Sequence, residues 1–206
     1  MFSVRHRAQL GLFAAFVVLA AAMATLLIKP RVTKPVAVAD VGTLAPDFQL
    51  EDVDGRTFTL SRHRGQALVM FFGSVNCPRT ADYNARVERL ARSFARDPRV
   101  KFMAVDVTPR GRQAIDRQSL RLDPAVAARP FATLLDVNGA IAHRYSARQT
   151  PTFVVLDGHG VVRYRGPFDN SQDIAFATQR FCAEALGEVL GVGSPTSAFA
   201  SGIVRP

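Results

Sequence analysis

The chain has 206 residues, 48% of them hydrophobic, with 26 Lys and Arg against 17 Asp and Glu and a formal net charge of +9. This length accommodates one ordinary domain with appendages. Two cysteines exclude a disulfide-dense scaffold, and four widely spaced histidines argue against a Cys/His zinc site. The basic residues are scattered singly and mostly stand close to acids, so we expect no nucleic-acid partner.

The first element is an apolar segment at the N-terminus. Arg5 and Arg7 precede an uncharged run, residues 10–28, which ends at Lys29. In a helix this run would be roughly 28 Å long, close to the hydrocarbon thickness of a bilayer. We predict a single transmembrane helix within residues 1–28. A cleaved signal peptide is the alternative, because Ala22-Met23-Ala24 offers a small-x-small site. The prediction is a single-pass cell-membrane protein whose domain lies on the periplasmic or extracytoplasmic side.

Composition then divides the rest of the chain. Residues 29–43 contain two prolines and a glycine without helical periodicity, which predicts a linker. We place the folded domain at residues 44–190 and a C-terminal tail at 191–206. Residues 1–34 hold five basic residues and no acid, so more than half of the net charge flanks the predicted membrane segment, where it can meet anionic lipid head groups.

Apolar patterning in the domain predicts strands that alternate with helices. Alternating or continuous apolar runs predict strands at residues 48–50, 57–59, 67–72, 100–105, 152–156 and 161–164. Helical spacing predicts a helix that begins near residue 78 and others around residues 113–120, 140–145 and 174–190. A strand, a helix and a second strand form a right-handed βαβ unit. An antiparallel pair at the end completes an α/β sandwich.

One cysteine stands where a buried strand turns into a helix, in the segment Gly73-Ser74-Val75-Asn76-Cys77-Pro78-Arg79-Thr80. Pro78 suits the first helical turn, where its missing N–H costs nothing. Cys77 would then be the N-cap, where free N–H groups and the helix dipole favour a thiolate, and Arg79 adds positive charge. Thiolates attack disulfides and peroxides. We therefore interpret Cys77 as a nucleophile rather than a small buried hydrophobe.

Several short motifs across the domain together resemble one family. They are Leu44-Ala45-Pro46-Asp47-Phe48, Gly65-Gln66-Ala67-Leu68-Val69, Phe71-Phe72-Gly73, Cys77-Pro78, Thr150-Pro151-Thr152-Phe153 and Asp157-Gly158-His159-Gly160. Over residues 44–190 the chain resembles the redoxin branch of the thioredoxin-like fold, of the peroxiredoxin-like AhpC/TSA type, as a membrane-anchored bacterial member. This resemblance implies a three-layer α/β sandwich around a central mixed sheet.

The resemblance also implies a set of site residues. Thr150-Pro151 would form a cis-proline corner opposite Cys77, with Thr150 and Pro151 binding substrate. Ser74 and Thr80 would hydrogen-bond the sulfur, and Arg79 completes the predicted catalytic set of Cys77, Thr80, Ser74 and Arg79. Arg148 is a candidate for the arginine that stabilises the thiolate in peroxiredoxins. We expect neither metal nor other cofactor.

Departures from the family pattern narrow the chemistry. A thioredoxin dithiol needs a second cysteine where this chain has Thr80, and a peroxiredoxin would have proline where it has Met70. Copper-assembly proteins of the Sco type need a cysteine at the position of Ala81, which disfavours copper chaperoning. Cys182 falls on the apolar face of the last predicted helix, so a buried structural role is favoured over a resolving one.

These observations predict a thiol-dependent oxidoreductase with one reactive cysteine. Cys77 would attack a hydroperoxide or a protein disulfide, and an external thiol would resolve the sulfenic acid or mixed disulfide. The alternative is a catalytically degenerate redoxin module that docks an envelope partner, which the absent second cysteine favours.

Overall fold

The computed structural model describes residues 38–109 and 116–192. The predicted transmembrane segment lies outside these residues, as do most of the predicted linker and tail. Within the described residues, no helix is long and apolar enough to cross a membrane.

Strands and helices alternate along the described chain. The strands are β1 (Gln49–Glu51), β2 (Thr57–Thr59), β3 (Ala67–Gly73), β4 (Val100–Asp106), β5 (Ala132–Leu135), β6 (Thr152–Leu156) and β7 (Val162–Gly166). The α-helices are α1 (Pro78–Ser93), α2 (Arg117–Leu122), α3 (Pro124–Ala127), α4 (Ala140–Arg144) and α5 (Phe181–Leu190). Short 3-10 helices cover Leu60–His63 and Ile174–Phe176. The β1–β2 hairpin, the β3-α1-β4 unit and the β6–β7 pair confirm the predicted elements.

A five-stranded mixed sheet forms the centre of the domain, in the order β5-β4-β3-β6-β7. β3, β4 and β5 are parallel, whereas β6 and β7 run antiparallel to their neighbours. All seven residues of β3 are buried, as its continuous apolar sequence requires in a strand covered on both faces. Because β3 is central, the loop that follows Gly73 opens at the middle of the sheet edge.

Helices cover both faces of this sheet, as the predicted three-layer sandwich requires. Val69 and Phe71 point to one face, where they pack with residues of α1 and α5. Leu68, Met70 and Phe72 alternate to the other face and pack with the β1–β2 hairpin and α4. Burial of apolar surface stabilises a fold by about 25 cal/mol per Å², so these two clusters provide the main stabilisation of the domain.

The structure differs from the sequence predictions in three places. The predicted helix at residues 174–190 is instead a 3-10 turn, a loop and α5, because the Asn170 side-chain oxygen accepts the N–H groups of Thr178 and Gln179 and ends the first turn. β5 was not predicted, since its four residues offer too short a pattern. Helix α2 begins at Arg117, later than expected, and residues 110–115 lie outside the described part.

Candidate active site around Cys77

Cys77 is the N-cap residue of α1. Its backbone is extended (φ −97°, ψ 114°), Pro78 is the first helical residue, and the carbonyl of Cys77 accepts the N–H of Ala81 at 3.2 Å. The side chain is half-buried. Since Pro78 has no N–H, the first free donors of the helix belong to Arg79 and Thr80. The predicted placement at the helix N-terminus is confirmed.

Hydrogen bonds around the sulfur lower the pKa of Cys77 below its ordinary value. The hydroxyl of Thr150 contributes most, while partial burial acts in the opposite direction. The backbone N–H and hydroxyl of Thr80 and the backbone N–H of Arg79 add to the lowering. The sulfur also lies 3.8 Å from the carbonyl oxygen of Thr150, which can only accept and so favours the thiol. The net effect of these groups and of burial is a lowered pKa of Cys77, so the site favours the thiolate.

The N–H groups of the loop between β3 and α1 donate to oxygen atoms of the surrounding framework. The N–H of Ser74 donates to Oγ1 of Thr80 at 3.3 Å, and that of Val75 donates to Oγ1 of Thr108 at 3.2 Å. The N–H of Asn76 donates to the Ser74 hydroxyl at 3.3 Å, and that of Cys77 to the Ser74 carbonyl at 3.0 Å. Each loop N–H is thereby satisfied without the sulfur, which leaves thiolate stabilisation to α1 and Thr150.

Ser74 and Thr80, both predicted to bond the sulfur, take different places. The buried hydroxyl of Ser74 bonds Thr108 at 2.9 Å and accepts the N–H of Asn76. Thr80 is 1% exposed, and its hydroxyl and backbone N–H both act to lower the pKa of Cys77. Ser74 instead belongs to the hydrogen-bonded framework beneath the loop.

Thr150 and Pro151 reach Cys77 because of the sheet register. Phe72 of β3 pairs with Thr152 of β6, so the residues just before β6 lie beside the end of β3, from which the Cys77 loop departs. The Thr150-Pro151 peptide is cis, as the sequence resemblance implied. Thr150 is half-buried and Pro151 is buried. This corner forms one wall of the site.

The two predicted arginines lie at the rim. The side chains of Arg79 and Arg148 are exposed, and Arg79 acts on the sulfur through its backbone N–H. Arg148 donates its backbone N–H to the carbonyl of Ser146 at 3.0 Å. Because solvent and salt screen exposed charges, the guanidinium groups of these two arginines interact only weakly with the thiolate.

Cys182 lies in the apolar cluster between the sheet and α5, with no exposed surface. Burial raises the pKa of its thiol to about 12, so it stays protonated and unreactive at neutral pH. The predicted burial of Cys182 is confirmed. In the described residues, no cluster of three or more histidine, cysteine or acidic side chains could hold a metal ion.

Asp106 and Thr108 belong to the site although the sequence interpretation passed over them. Both are buried, at the end of β4 and just after it, and the Thr108 hydroxyl lies 2.5 Å from Oδ1 of Asp106. Gly73 pairs with Asp106 in the parallel β3–β4 register. Because the ends of parallel strands meet at one sheet edge, the polar Asp-x-Thr pattern at the end of the apolar β4 sequence could have identified these two residues as part of the site.

Comparison with known proteins decides the family. Residues 41–165 match the sequence profile of the AhpC/TSA family. The chain belongs to the AhpC/TSA family. The match spans more than half of the chain and contains Cys77 and the cis-proline corner, so both elements of the site lie inside the family's own domain. A search of curated protein sequences finds no match.

Solved structures share the fold. An uncharacterized conserved protein of Geobacillus kaustophilus is 25% identical over 76% of this chain and 85% of its own, with a TM-score of 0.64. The thiol:disulfide interchange protein DsbE of Chlorobium tepidum is 21% identical over 62% of this chain and 85% of its own, at 0.52. A thiol-disulfide oxidoreductase of Bacteroides fragilis is 21% identical over 72% and 98%, also at 0.52. These similarities confirm the thioredoxin-like architecture.

Proposed function

We propose that this AhpC/TSA-family protein is a thiol-dependent oxidoreductase that uses Cys77 as its single nucleophile and an external thiol as reductant. The observation that carries the proposal is the sulfur at the N-cap of α1, where N–H and hydroxyl donors lower the pKa of Cys77. A thiolate at neutral pH is the form that attacks sulfur and peroxide oxygen.

With a disulfide, the Cys77 thiolate attacks one sulfur, forms a mixed disulfide and expels the other sulfur as a thiolate, which takes up a proton. An external thiolate then attacks the mixed disulfide. It attacks the Cys77 sulfur, so that the substrate leaves as a thiolate with both of its sulfurs reduced. A second external thiolate then releases Cys77 as a thiolate together with the oxidised thiol pair.

With a hydroperoxide, Cys77 takes the terminal oxygen and becomes a sulfenic acid, and the remaining alcohol or water leaves. One external thiol condenses with the sulfenic acid and releases water, and a second releases Cys77 as a thiolate together with an oxidised thiol pair. Both routes need a thiol from outside the domain, because Thr80 occupies the place of a second dithiol cysteine and Cys182 is wholly buried.

Two features support a protein disulfide or thiol as substrate. The fold is shared with DsbE of Chlorobium tepidum and with a thiol-disulfide oxidoreductase of Bacteroides fragilis. In addition, the Thr150-Pro151 corner lies against Cys77, where the Thr150 backbone can pair with an extended substrate segment. We further propose that residues 1–28 anchor the domain to the membrane on its extracytoplasmic side, which protease protection of sealed vesicles tests.

The experiment is adduct trapping followed by turnover. The reduced protein is treated with oxidised glutathione or hydrogen peroxide, the modified cysteine is identified by mass spectrometry, and reduced glutathione is then added. We expect an adduct on Cys77 that reduced glutathione removes, and no adduct or turnover in Cys77→Ser. Cys182→Ala is the matched control that keeps the reactive thiol.

A second candidate is a binding module without turnover, favoured by Thr80 in the place of a resolving cysteine. It predicts that Cys77→Ser retains the full activity of the protein in cells. A trapped adduct that glutathione fails to remove, together with an active Cys77→Ser, would support this candidate over the oxidoreductase.

A further inference from the structure

A buried polar chain runs beneath the Cys77 loop, from the end of β4 to Thr80 in the first turn of α1. Its members are Asp106, Thr108, Ser74 and Thr80, each less than 9% exposed. Buried polar groups cost free energy unless they are hydrogen-bonded, and a cluster of four beside a nucleophile calls for a physical reason.

The direction of each hydrogen bond follows from its acceptors. A carboxylate only accepts, so the Thr108 hydroxyl donates to Oδ1 of Asp106 at 2.5 Å. The Thr108 oxygen is left as acceptor and takes the N–H of Val75 at 3.2 Å and the hydroxyl of Ser74 at 2.9 Å. The hydroxyl proton of Ser74 is therefore directed towards β4 and away from Cys77.

The second half of the chain starts from the backbone of Ser74. With its side chain fixed on Thr108, Ser74 donates its N–H to Oγ1 of Thr80 at 3.3 Å. That bond occupies a lone pair of the Thr80 oxygen and leaves its hydroxyl proton free to donate. Thr80 lies in the first turn of α1, whose N-cap is Cys77, and its hydroxyl is one of the groups that lower the pKa of Cys77. Orientation of the Thr80 hydroxyl thus depends on where the loop holds the Ser74 N–H.

We propose that Asp106 and Thr108 are positioning residues that, through Ser74, aim the Thr80 hydroxyl at the Cys77 sulfur. The strand pairing supports this role, because the N–H of Val107 donates to the carbonyl of Gly73 at 2.9 Å and ties Thr108 to the start of the loop. The inference rests on the proposed reactivity of Cys77 and names residues that touch neither substrate nor sulfur.

The test compares Thr108→Val, which keeps the shape but removes the hydroxyl, with Thr108→Ser, which keeps the hydroxyl. The rate of Cys77 alkylation by iodoacetamide is followed against pH, and unfolding by urea is measured in parallel. In Thr108→Val we expect the midpoint of the alkylation profile to move to higher pH. A shift of about half a pKa unit would lower the alkylation rate of Cys77 at pH 7 by about threefold. Thr108→Ser should stay within about twofold of the original protein.

A double variant separates positioning from general destabilisation. If Thr108 acts through Thr80, then Thr80→Val with Thr108→Val should show the same alkylation profile as Thr80→Val alone. The elements that form the site carry charged side chains at Arg79 and Asp82 in the first turns of α1, at Asp106 in the last position of β4, and at Arg148 before the cis-proline. Thr108→Val changes none of these charges.

A folded Thr108→Val with an unchanged midpoint would overturn the inference, as would an undiminished effect of Thr108→Val in the Thr80→Val background. Should Thr108→Val fail to fold, Ser74→Ala serves instead, because it removes the hydroxyl that bonds Thr108, changes no charge and must move the midpoint in the same direction. An original protein whose Cys77 shows no lowered midpoint would refute the proposed function itself, which makes the two failures distinguishable.

Discussion

The absence of a side chain at Gly73 allows Thr80 to pack closely beneath the Cys77 loop. A Cβ at this position would lie 2.8 Å from Cγ2 of Thr80 and 3.2 Å and 3.3 Å from two ring carbons of Phe71. Ordinary carbon contacts are about 3.5–4.0 Å, so Thr80 would have to move by roughly 0.7 Å or more. Neither neighbour has room, because Thr80 and Phe71 are each 1% exposed and Phe71 stacks on Phe153 at 4.9 Å.

We therefore expect Gly73→Ala to lower the free energy of unfolding by about 1–3 kcal/mol, the usual cost of overpacking. The same displacement moves the Thr80 hydroxyl from the Cys77 sulfur, so alkylation of Cys77 at pH 7 should slow. Urea unfolding and the alkylation rate measure the two effects on the same protein.

Thr80→Ser provides the control, because it removes the clashing Cγ2 methyl and keeps the hydroxyl. Alone it should cost about 1 kcal/mol for the lost buried methyl group. Combined with Gly73→Ala, the total cost should fall short of the sum by about 1 kcal/mol or more. Additive costs, or a Gly73→Ala protein with original stability, would refute the steric reasoning.

Four further predictions concern other changes in the domain. Thr80→Cys places a second thiol in the first turn of α1, three residues after Cys77, so mild oxidant should produce an intramolecular disulfide and protect both thiols from alkylation. Cys182→Ser buries a hydroxyl in an apolar cluster, and urea unfolding should show a loss of about 1–3 kcal/mol with Cys77 reactivity retained. Arg86→Met leaves Asp169, now paired at 2.7 Å, as a buried lone charge, and should cost about 3–5 kcal/mol in the same assay. Since folding lowers the pKa of Cys77, its ionisation stabilises the fold above the unfolded pKa and this contribution is lost as pH falls through the folded pKa. The stability difference between the original protein and Cys77→Ser should therefore grow from pH 6 to pH 9.

Most of the fold was predictable because the strands around the site are strongly patterned. The continuous apolar sequence of β3 indicates a strand buried on both faces, and Pro78 marks the first turn of α1. Together these two sequence signals are enough to place Cys77 at a helix N-cap. The position of Cys182 was predictable for a similar reason, since its helix is apolar on the face that contacts the sheet.

What could not be predicted depends on contacts between distant segments. The Ser74 hydroxyl bonds Thr108, 34 residues away in sequence, and only the parallel pairing of β3 with β4 brings the two together. The loop before α5 is likewise held by long-range bonds, with Arg86 of α1 donating to Asp169 and to the carbonyl of Ser171. Local periodicity contains no information about such partners, nor about the bonds from Thr178 and Gln179 to the Asn170 side chain that interrupt the predicted helix at residues 174–190.

The most direct test of the central claim is the ionisation of Cys77. In Cys182→Ala this is the only cysteine, so the rate of alkylation by iodoacetamide against pH reports its thiolate fraction alone. We expect a midpoint clearly below the free value of about 8.5, and a second-order rate at pH 7 above that of free cysteine. A midpoint at or above 8.5 in the folded protein would contradict the assignment of Cys77 as an activated nucleophile.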